Sequence, residues 1–181
     1  MSGASGAILG IRLLETMKNY DDWETHLVIS KGAEMTIADE TDYSLEEVKG
    51  LANKAYDIDN IGESIASGSF RTEGMVIVPC SMKTLAGVAS GYSDNLLLRA
   101  ADVTIKERRK FVVIPRESPL SVIHLRNMLT LAEIGIYLIP PMVTFYNEPL
   151  SLDDMNHHII CKILDKFGIE VEGYKRWKED N

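Results

Sequence analysis

The stretch that decides the fold is MVIVPCSMKT, residues 75–84. Its first four residues are uniformly apolar and mostly β-branched, which is typical of a strand buried on both faces of a parallel sheet. Pro79 has no backbone N–H to donate to a neighbouring strand, so we expect the strand to end there. The turn that opens the next predicted helix consists of Ser81, Met82, Lys83 and Thr84.

This junction between a strand and a helix is a candidate phosphate site. A helix that starts at the carboxyl edge of a parallel sheet presents free backbone N–H groups and a partial positive charge. The hydroxyls of Ser81 and Thr84 and the ammonium group of Lys83 add donors to the same turn. An ordinary helix N-cap explains these residues equally well, so for this stretch alone both interpretations stay open.

The composition is that of a globular protein with 45% hydrophobic and 25% charged residues, and we expect residues 1–181 to form one domain. No apolar run approaches the roughly 20 residues that a membrane span needs, and the start shows no signal-peptide pattern. Cys80 and Cys161 form no CxxC pair, which favours a reduced, cytoplasmic setting. The net charge of −8 argues against a nucleic-acid surface and requires local cations around any phosphate ligand.

A glycine-rich turn, MSGASGA at residues 1–7, precedes an amphipathic helix. Such a turn normally follows a strand, because glycine lets the backbone leave the sheet sharply. No strand-like residues precede it in this sequence. We expect either that the sequence given lacks its true N-terminus, which we favour, or that the sheet lacks its first strand.

Further buried strands are predicted at residues 25–29, 110–114 and 137–139, each separated from the next by helical segments. This alternation predicts a doubly wound α/β fold, Rossmann-like or flavodoxin-like, with helices on both faces of a parallel sheet. Ligands of such sheets bind outside the carboxyl ends of the strands. The polar turns at Ser30, at residues 115–117 (PRE) and at residues 145–149 (FYNEP) all fall at that edge.

The side chains at this edge predict an anion site without a metal. His157 and His158 are adjacent on a helix and point to different faces, so they cannot share a metal in the usual i, i+4 manner. Glu40 and Glu117 lie at turn positions beside cations, where a carboxylate serves as a proton shuttle or forms a plain ion pair. The residues alone favour the ion pair. The hydroxyls and cations of the predicted site are Ser5, Ser30, Ser81, Thr84, Lys83, Arg99, Lys106, Arg116 and Lys162.

Two of these cations lie on one predicted helix. Arg99 and Lys106 fall on the same face of residues 96–107, together with Asp102. A solvated stripe of ion pairs is the usual role of charges with this spacing, and it stands beside the ligand-binding interpretation.

The chain resembles the flavin prenyltransferases of the UbiX type, earlier described as aromatic acid decarboxylases. The resemblance covers nearly the whole chain, and the most specific block combines RAADV, KERR and PRE within residues 99–117. The matching segments, in chain order, are MSGASGA, VISKGAE, ADET, PCSMKTLAGVASGYSDNLLLRAADV, IKERRKFVVIPRESPL, IHLRNMLTL, FYNEP and KRW.

The resemblance implies that a dimethylallyl group passes from dimethylallyl phosphate to reduced FMN and that no metal takes part. Ser5 would lie near the reacting ring, and Glu40 and Glu117 would move protons, with Glu117 acting on the departing phosphate. The implied FMN-binding residues are Gly3, Ala4, Ser5, Ser30, Ser81, Met82, Lys83, Thr84 and Arg116. The implied residues for the prenyl donor are Tyr146, Lys162, Arg99, Lys106 and Trp177, of which Arg99 and Lys106 also count as catalytic.

The resemblance also implies partners. The prenylated FMN would pass to a UbiD-type decarboxylase, and the enzyme would be a homododecamer with sites at subunit interfaces. No nucleic acid or membrane is expected as a partner. Two alternatives stay open: an FMN-dependent decarboxylase of aromatic (hydroxybenzoate or phenolic) acids, and a flavin-binding carrier subunit without catalytic activity.

Overall fold

The computed structural model describes residues 1–178 and contains thirteen elements in this part of the chain. The five strands are β1 (His26–Val28), β2 (Lys54–Tyr56), β3 (Gly74–Cys80), β4 (Lys110–Pro115) and β5 (Tyr137–Leu138). The helices are α1 (Ala7–Met17), α2 (Lys31–Glu40), α3 (Leu45–Lys49), α4 (Met82–Ser90), α5 (Leu96–Lys106), α6 (Val122–Glu133) and α7 (Leu152–Asp165), with a 3₁₀ turn at Ser64–Ala66.

All strand pairs are parallel, as the sequence predicts. β3 pairs with β4 and β4 with β5, while β1 and β2 form a separate pair. Helices cover both faces: α4, α5 and α6 share an apolar core with one side of β3 and β4, and α1 and α7 share another with the opposite side. The α/β fold class with helices on both faces of a parallel sheet is confirmed.

The backbone of the first two residues links the β1–β2 pair to the three-stranded sheet. The amino group of Met1 donates to the carbonyl of Val28 (2.7 Å), and the Met1 carbonyl accepts from the N–H of Ser30 (3.1 Å). The N–H of Ser2 donates to the carbonyl of Pro79 (3.1 Å) on the other side. Met1 and Ser2 therefore continue both ladders as a strand between β1 and β3 would, in the place where the sequence leads us to expect a first strand.

A cavity of about 810 Å³ lies between β1 and β3, on the amino-terminal side of Met1 and Ser2. Both strand backbones line it, and side chains of α1, α5 and the segment after α7 close it above and below, including Leu13, Val103 and Phe167. The cavity is separate from the polar carboxyl edge of the sheet.

The end of β3 differs from the prediction. The strand does not stop at Pro79 but continues to Cys80, which pairs with Pro115 after an irregularity that follows Ile77. Pro79 contributes its carbonyl instead of an N–H, and that carbonyl accepts from Ser2. The proline is therefore accommodated by a local shift in strand register at the edge where the candidate site lies.

Candidate functional site

Ser2 joins the glycine-rich turn to the turn after β3. Its side chain is 1% exposed, and its hydroxyl donates to the carbonyl of Pro79 (3.2 Å) and accepts from the backbone N–H of Ser81 (2.9 Å). This buried hydroxyl therefore acts as both a donor and an acceptor, and the two hydrogen bonds hold the two loops together. Ser2 is not among the site residues predicted from the sequence, although a hydroxyl at the start of a glycine-rich turn beside a predicted sheet edge was the available signal.

The same turn lies directly against the start of α2. A Cβ placed on Gly3 would lie 2.7 Å from the carbonyl carbon of Gly32, so only glycine allows this approach of two backbones. Ser30 is the N-cap of α2, and its hydroxyl accepts from the N–H of Ala33 (3.1 Å). The turn of Gly3, Ala4 and Ser5 therefore lies directly against the first turn of α2, a helix start whose first N–H groups have no partner within the helix.

The turn after β3 begins α4 with the same chemistry. Ser81 is the N-cap, and its hydroxyl accepts from the N–H of Thr84 (3.3 Å) and donates to the Thr84 hydroxyl (3.1 Å). Met82 is buried under the helix start, while Lys83 is exposed. The N-cap interpretation is correct as local geometry, and the first N–H groups of α4 have no partners within the helix, as at any helix start.

The Glu40 side chain caps the start of α1. Its carboxylate accepts from the backbone N–H groups of Gly6 (2.8 Å) and Ala7 (3.2 Å). Burial acts to raise the pKa of Glu40, but hydrogen bonds from Gly6, the Ser5 hydroxyl and Ala7, together with the charge of Arg116, hold it below its ordinary value. The structure thus brings three predicted site residues together, with an ionised carboxylate at the centre.

Arg116 and Glu117 follow β4 at the same edge. The backbone N–H of Arg116 donates to the carbonyl of Cys80 (3.1 Å), which fixes this segment beside the start of α4. The carboxylate of Glu117 accepts from the N–H of Ser118 (3.0 Å). Both side chains are exposed in the single chain, so they face outward from the polar edge.

A second group of predicted residues comes from the loop before α7, from α7 itself and from the segment after it. The Tyr146 hydroxyl lies 3.1 Å from Nε2 of His158, and the Tyr146 ring meets Trp177 edge to face at 5.3 Å. His158 also contacts the ring of Tyr174 at 5.3 Å. The positive charge of Lys162, one turn further along α7, lies near enough to help lower the pKa of His158.

Arg99 and Lys106 both form ion pairs with nearby acidic residues of the same chain. Arg99 pairs with Asp102 on α5 (2.6 Å), and Lys106 pairs with the adjacent Glu107 (2.5 Å). The ammonium group of Lys106 lies over Gly68, close to the amino-terminal end of β3, because α5 runs from the carboxyl edge towards the opposite edge. In one protomer these cations are the ion-pair stripe that the sequence analysis kept as the alternative.

Residues 1–178 contain no group of three or more His, Cys, Asp or Glu side chains that could hold a metal ion. None of the helices in this part of the chain is both long enough and apolar enough to cross a bilayer.

The parallel sheet defines a flavodoxin-like α/β protein. The two hydroxyl-capped helix starts at its carboxyl edge have the features of a binding site for a phosphorylated ligand. A family model described as Flavoprotein matches residues 1–164. The chain is 52% identical over 177 residues to a flavin prenyltransferase UbiX of Thauera aromatica, which covers 98% of this chain and 91% of the relative.

Two solved structures agree with this over the full fold. One, described as a dodecameric FMN-dependent UbiX-like decarboxylase from Escherichia coli O157:H7, has a TM-score of 0.96 at 49% identity and covers 99% of this chain and 100% of its own. The other, described as AnUbiX (PadA1) in complex with FMN and dimethylallyl pyrophosphate, has a TM-score of 0.96 at 45% identity and covers 100% and 96%. The chain belongs to the UbiX-like flavin prenyltransferases of the Flavoprotein family.

Proposed function

We propose that this protein is a flavin prenyltransferase that moves a dimethylallyl group from dimethylallyl phosphate to reduced FMN. The allylic C–O bond would break with its electron pair going to the phosphate, two carbons of the dimethylallyl group would bond to the flavin and close a fourth ring, and the proton that the flavin gives up would pass to a protein base. The observation that carries the proposal is the full-length similarity to a structure described with both FMN and a dimethylallyl donor.

The polar edge suits FMN. Gly3 allows the first turn to pack on Gly32, and a side chain at Gly3 would meet the backbone there. The hydroxyl-capped starts of α2 and α4, at Ser30 and Ser81, offer backbone N–H groups and a partial positive charge to a phosphate. The residues that would hold FMN are Gly3, Ala4, Ser5, Ser30, Ser81, Met82, Lys83, Thr84 and Arg116.

Glu40 decides which helix start takes the phosphate. Its carboxylate already occupies the N–H groups at the start of α1, and a phosphate placed there would meet a like charge. The flavin phosphate therefore belongs at α2 and α4, while the Ser5 hydroxyl and Glu40 stay available beside the ring system. In that position an ionised Glu40 accepts a proton during the transfer.

The second group suits the prenyl donor. The Tyr146 hydroxyl and the Lys162 ammonium group would bind the phosphate, and the exposed Trp177 ring would shelter the positive charge that develops on the prenyl fragment. Fixed donors on the leaving oxygens lower the barrier to allylic ionisation. Glu117 would protonate the departing phosphate.

We propose further that the sites are completed between copies of the chain in a homododecamer. Arg116 and Glu117 are exposed at the polar edge, and the helix that follows them exposes Val122 and Ile123 at 62% and 67%. Apolar side chains exposed next to a charged edge are typical of a subunit interface. Arg99 and Lys106, which pair with Asp102 and Glu107 in the single chain, would then act in a neighbour's site as catalytic cations.

The direct test is anaerobic incubation of the FMN-loaded protein with reduced FMN and dimethylallyl phosphate, followed by mass spectrometry of the flavin. We expect a flavin heavier by one prenyl unit. An unchanged flavin mass with folded, FMN-loaded protein would refute prenyl transfer. Release of carbon dioxide from a hydroxybenzoate by the purified protein alone would favour the aromatic acid decarboxylase instead.

Glu117→Gln separates an enzyme from a carrier. The substitution keeps the size and the hydrogen-bonding oxygen of the side chain but removes its acid function. We expect FMN binding to survive and prenyl transfer to collapse. A flavin carrier would bind FMN equally well in both forms and show no prenyl transfer in either.

We include in this proposal that the product, prenylated FMN, would be the cofactor of a UbiD-type decarboxylase. A cytoplasmic location fits it, since Cys80 and Cys161 are both buried free thiols. Mixing the reaction products with an inactive UbiD-type apoenzyme and measuring restored decarboxylation tests the transfer to this partner.

A further inference from the structure

We propose that His158 is a positioning residue for the prenyl donor: it holds the Tyr146 hydroxyl so that the Tyr146 proton points to the donor phosphate. This inference rests on the proposed function, in which Tyr146 binds that phosphate. It adds a residue that the sequence considerations above treat only as a metal ligand that can be excluded.

The geometry around His158 fixes one contact. Its ring is 5% exposed on the inner side of α7, and its Nε2 lies 3.1 Å from the Tyr146 hydroxyl. The rings of Tyr146 and His158 stand nearly perpendicular (82°) with centroids 5.5 Å apart, and Tyr174 covers His158 from another side. A buried imidazole enclosed by two aromatic rings has little freedom to turn away from the hydroxyl.

The chemistry of the hydroxyl then selects one tautomer of His158. A tyrosine hydroxyl has a single proton, and phosphate oxygens accept hydrogen bonds. If Nε2 accepted the Tyr146 proton, only oxygen lone pairs would face the phosphate, and these repel it. If Nε2–H donates to the Tyr146 oxygen, the Tyr146 proton remains for the phosphate. The proposed role therefore requires the Nε2–H form of His158.

The surroundings favour a neutral ring in this role. Burial lowers the pKa of His158, and the nearby charges of Lys162 and His157 lower it further. A neutral imidazole leaves Lys162 as the cation that faces the phosphate, and it avoids a second positive charge buried one helical turn away. Lys162 thus supplies the charge that binds the phosphate, and the His158–Tyr146 pair orients it.

The test is a double-mutant cycle on donor affinity. Tyr146→Phe, His158→Phe and the double variant are compared by titration calorimetry of dimethylallyl phosphate into protein loaded with oxidised FMN, which has no turnover. A hydrogen bond to a charged acceptor predicts that Tyr146→Phe weakens binding about tenfold. We expect His158→Phe to weaken it by a similar factor, and the double variant to be no weaker than Tyr146→Phe.

A conservative variant gives the matched control. His158→Gln places an amide N–H near the Nε2 position, and we expect it to keep donor affinity within about threefold of the wild type. Flavin absorbance and circular dichroism verify that each variant is folded and loaded. If His158→Phe does not fold, the comparison of His158→Gln with His158→Leu replaces it in the same cycle.

Each other outcome overturns the inference. Additive losses in the double variant would show that His158 acts through packing and not through the Tyr146 hydroxyl. A loss of donor affinity in Tyr146→Phe with none in His158→Phe would refute the role of His158 but leave Tyr146 in the donor site. Unchanged affinity in Tyr146→Phe would refute both this inference and the assignment of Tyr146 to the donor site, while leaving FMN binding and prenyl transfer to their own test.

Discussion

Substituting Glu40 by glutamine should destabilise the folded protein only when the native carboxylate is ionised. The carboxylate accepts from two backbone N–H groups at the start of α1, at 2.8 and 3.2 Å, and glutamine keeps an oxygen there without the charge. A negative charge at a helix start contributes about 0.3–1 kcal/mol when exposed. Because the Glu40 side chain is exposed and screened by solvent, we expect a loss of about 1 kcal/mol in the free energy of unfolding at pH 7.

The pH dependence of this difference follows from the direction of the shift. The pKa of Glu40 is lower in the folded protein than its ordinary value of 4.5, so its stabilising contribution is fully present above about pH 4.5. The contribution disappears as the pH falls through the lowered value. The wild type and Glu40→Gln should therefore differ at pH 7 and converge in strong acid.

Thermal and urea unfolding at one fixed protein concentration measure the effect, because assembly makes stability depend on concentration. A loss of this size corresponds to a decrease of about 2–4 °C in melting temperature for a chain of this length. Asp39→Asn removes the same charge one residue earlier on α2 and is the matched control. Equal stability of Glu40→Gln and wild type at pH 7, or an undiminished difference at pH 3, would refute the reasoning.

Three further substitutions or extensions test the packing of the edge and of the cavity. Gly3→Ala should weaken FMN binding and cost about 1–3 kcal/mol of stability, because its Cβ would lie 2.7 Å from Gly32, whereas Gly62→Ala should change neither quantity. Ser2→Ala should cost about 1–3 kcal/mol by leaving the Ser81 N–H without its partner, while the Pro79 carbonyl keeps the backbone N–H of residue 2, and exposed Ser69→Ala is its control in urea unfolding. Five β-branched residues added before Met1 should raise the melting temperature by filling the cavity between β1 and β3, while five alternating Gly and Ser residues should not.

Local signals in the sequence predicted the helix starts well. Ser44 with Glu47 and Ser151 with Asp154 form capping boxes, a local pattern that depends only on residues three positions apart. The buried strands were predicted for the same reason: their apolar runs require no knowledge of distant residues. β3 and β4 appear where those runs lie, with Gly74 and Cys80 added at the ends of β3.

β2 was not predicted, because the feature that makes it a strand is its pairing with β1, which lies far away in the sequence. Lys54 and Ala55 are exposed and Tyr56 alone is buried, so the segment has no apolar run. It becomes a strand through pairing with β1, in which Leu27 lies opposite Ala55. Pairing between segments almost thirty residues apart is a tertiary effect that local propensity does not contain.

In the candidate site, too, local features could be predicted from the sequence and long-range features could not. Hydroxyls at strand ends had to lie at the carboxyl edge, because parallel strands place their ends together, and Ser30 and Ser81 do lie there. Helical spacing placed Arg99 and Lys106 on one face of α5 but did not indicate which edge of the sheet that face approaches. The observed ion pairs with Asp102 and Glu107 are local, since the partners lie three residues and one residue away in the sequence.

The distribution of apolar residues on α6 connects these observations. Only Leu131 of this helix is buried, while Val122, Ile123, Leu125 and Leu129 are at least half exposed. A helix that served only its own sheet would bury these residues on one stripe, so this one has a second apolar surface to cover. The helix begins six residues after Arg116, and covering it with a neighbouring copy would enclose the polar edge from outside. The same contact that removes apolar surface from water would then also exclude water from the flavin and prenyl donor, which makes assembly a condition for the proposed chemistry.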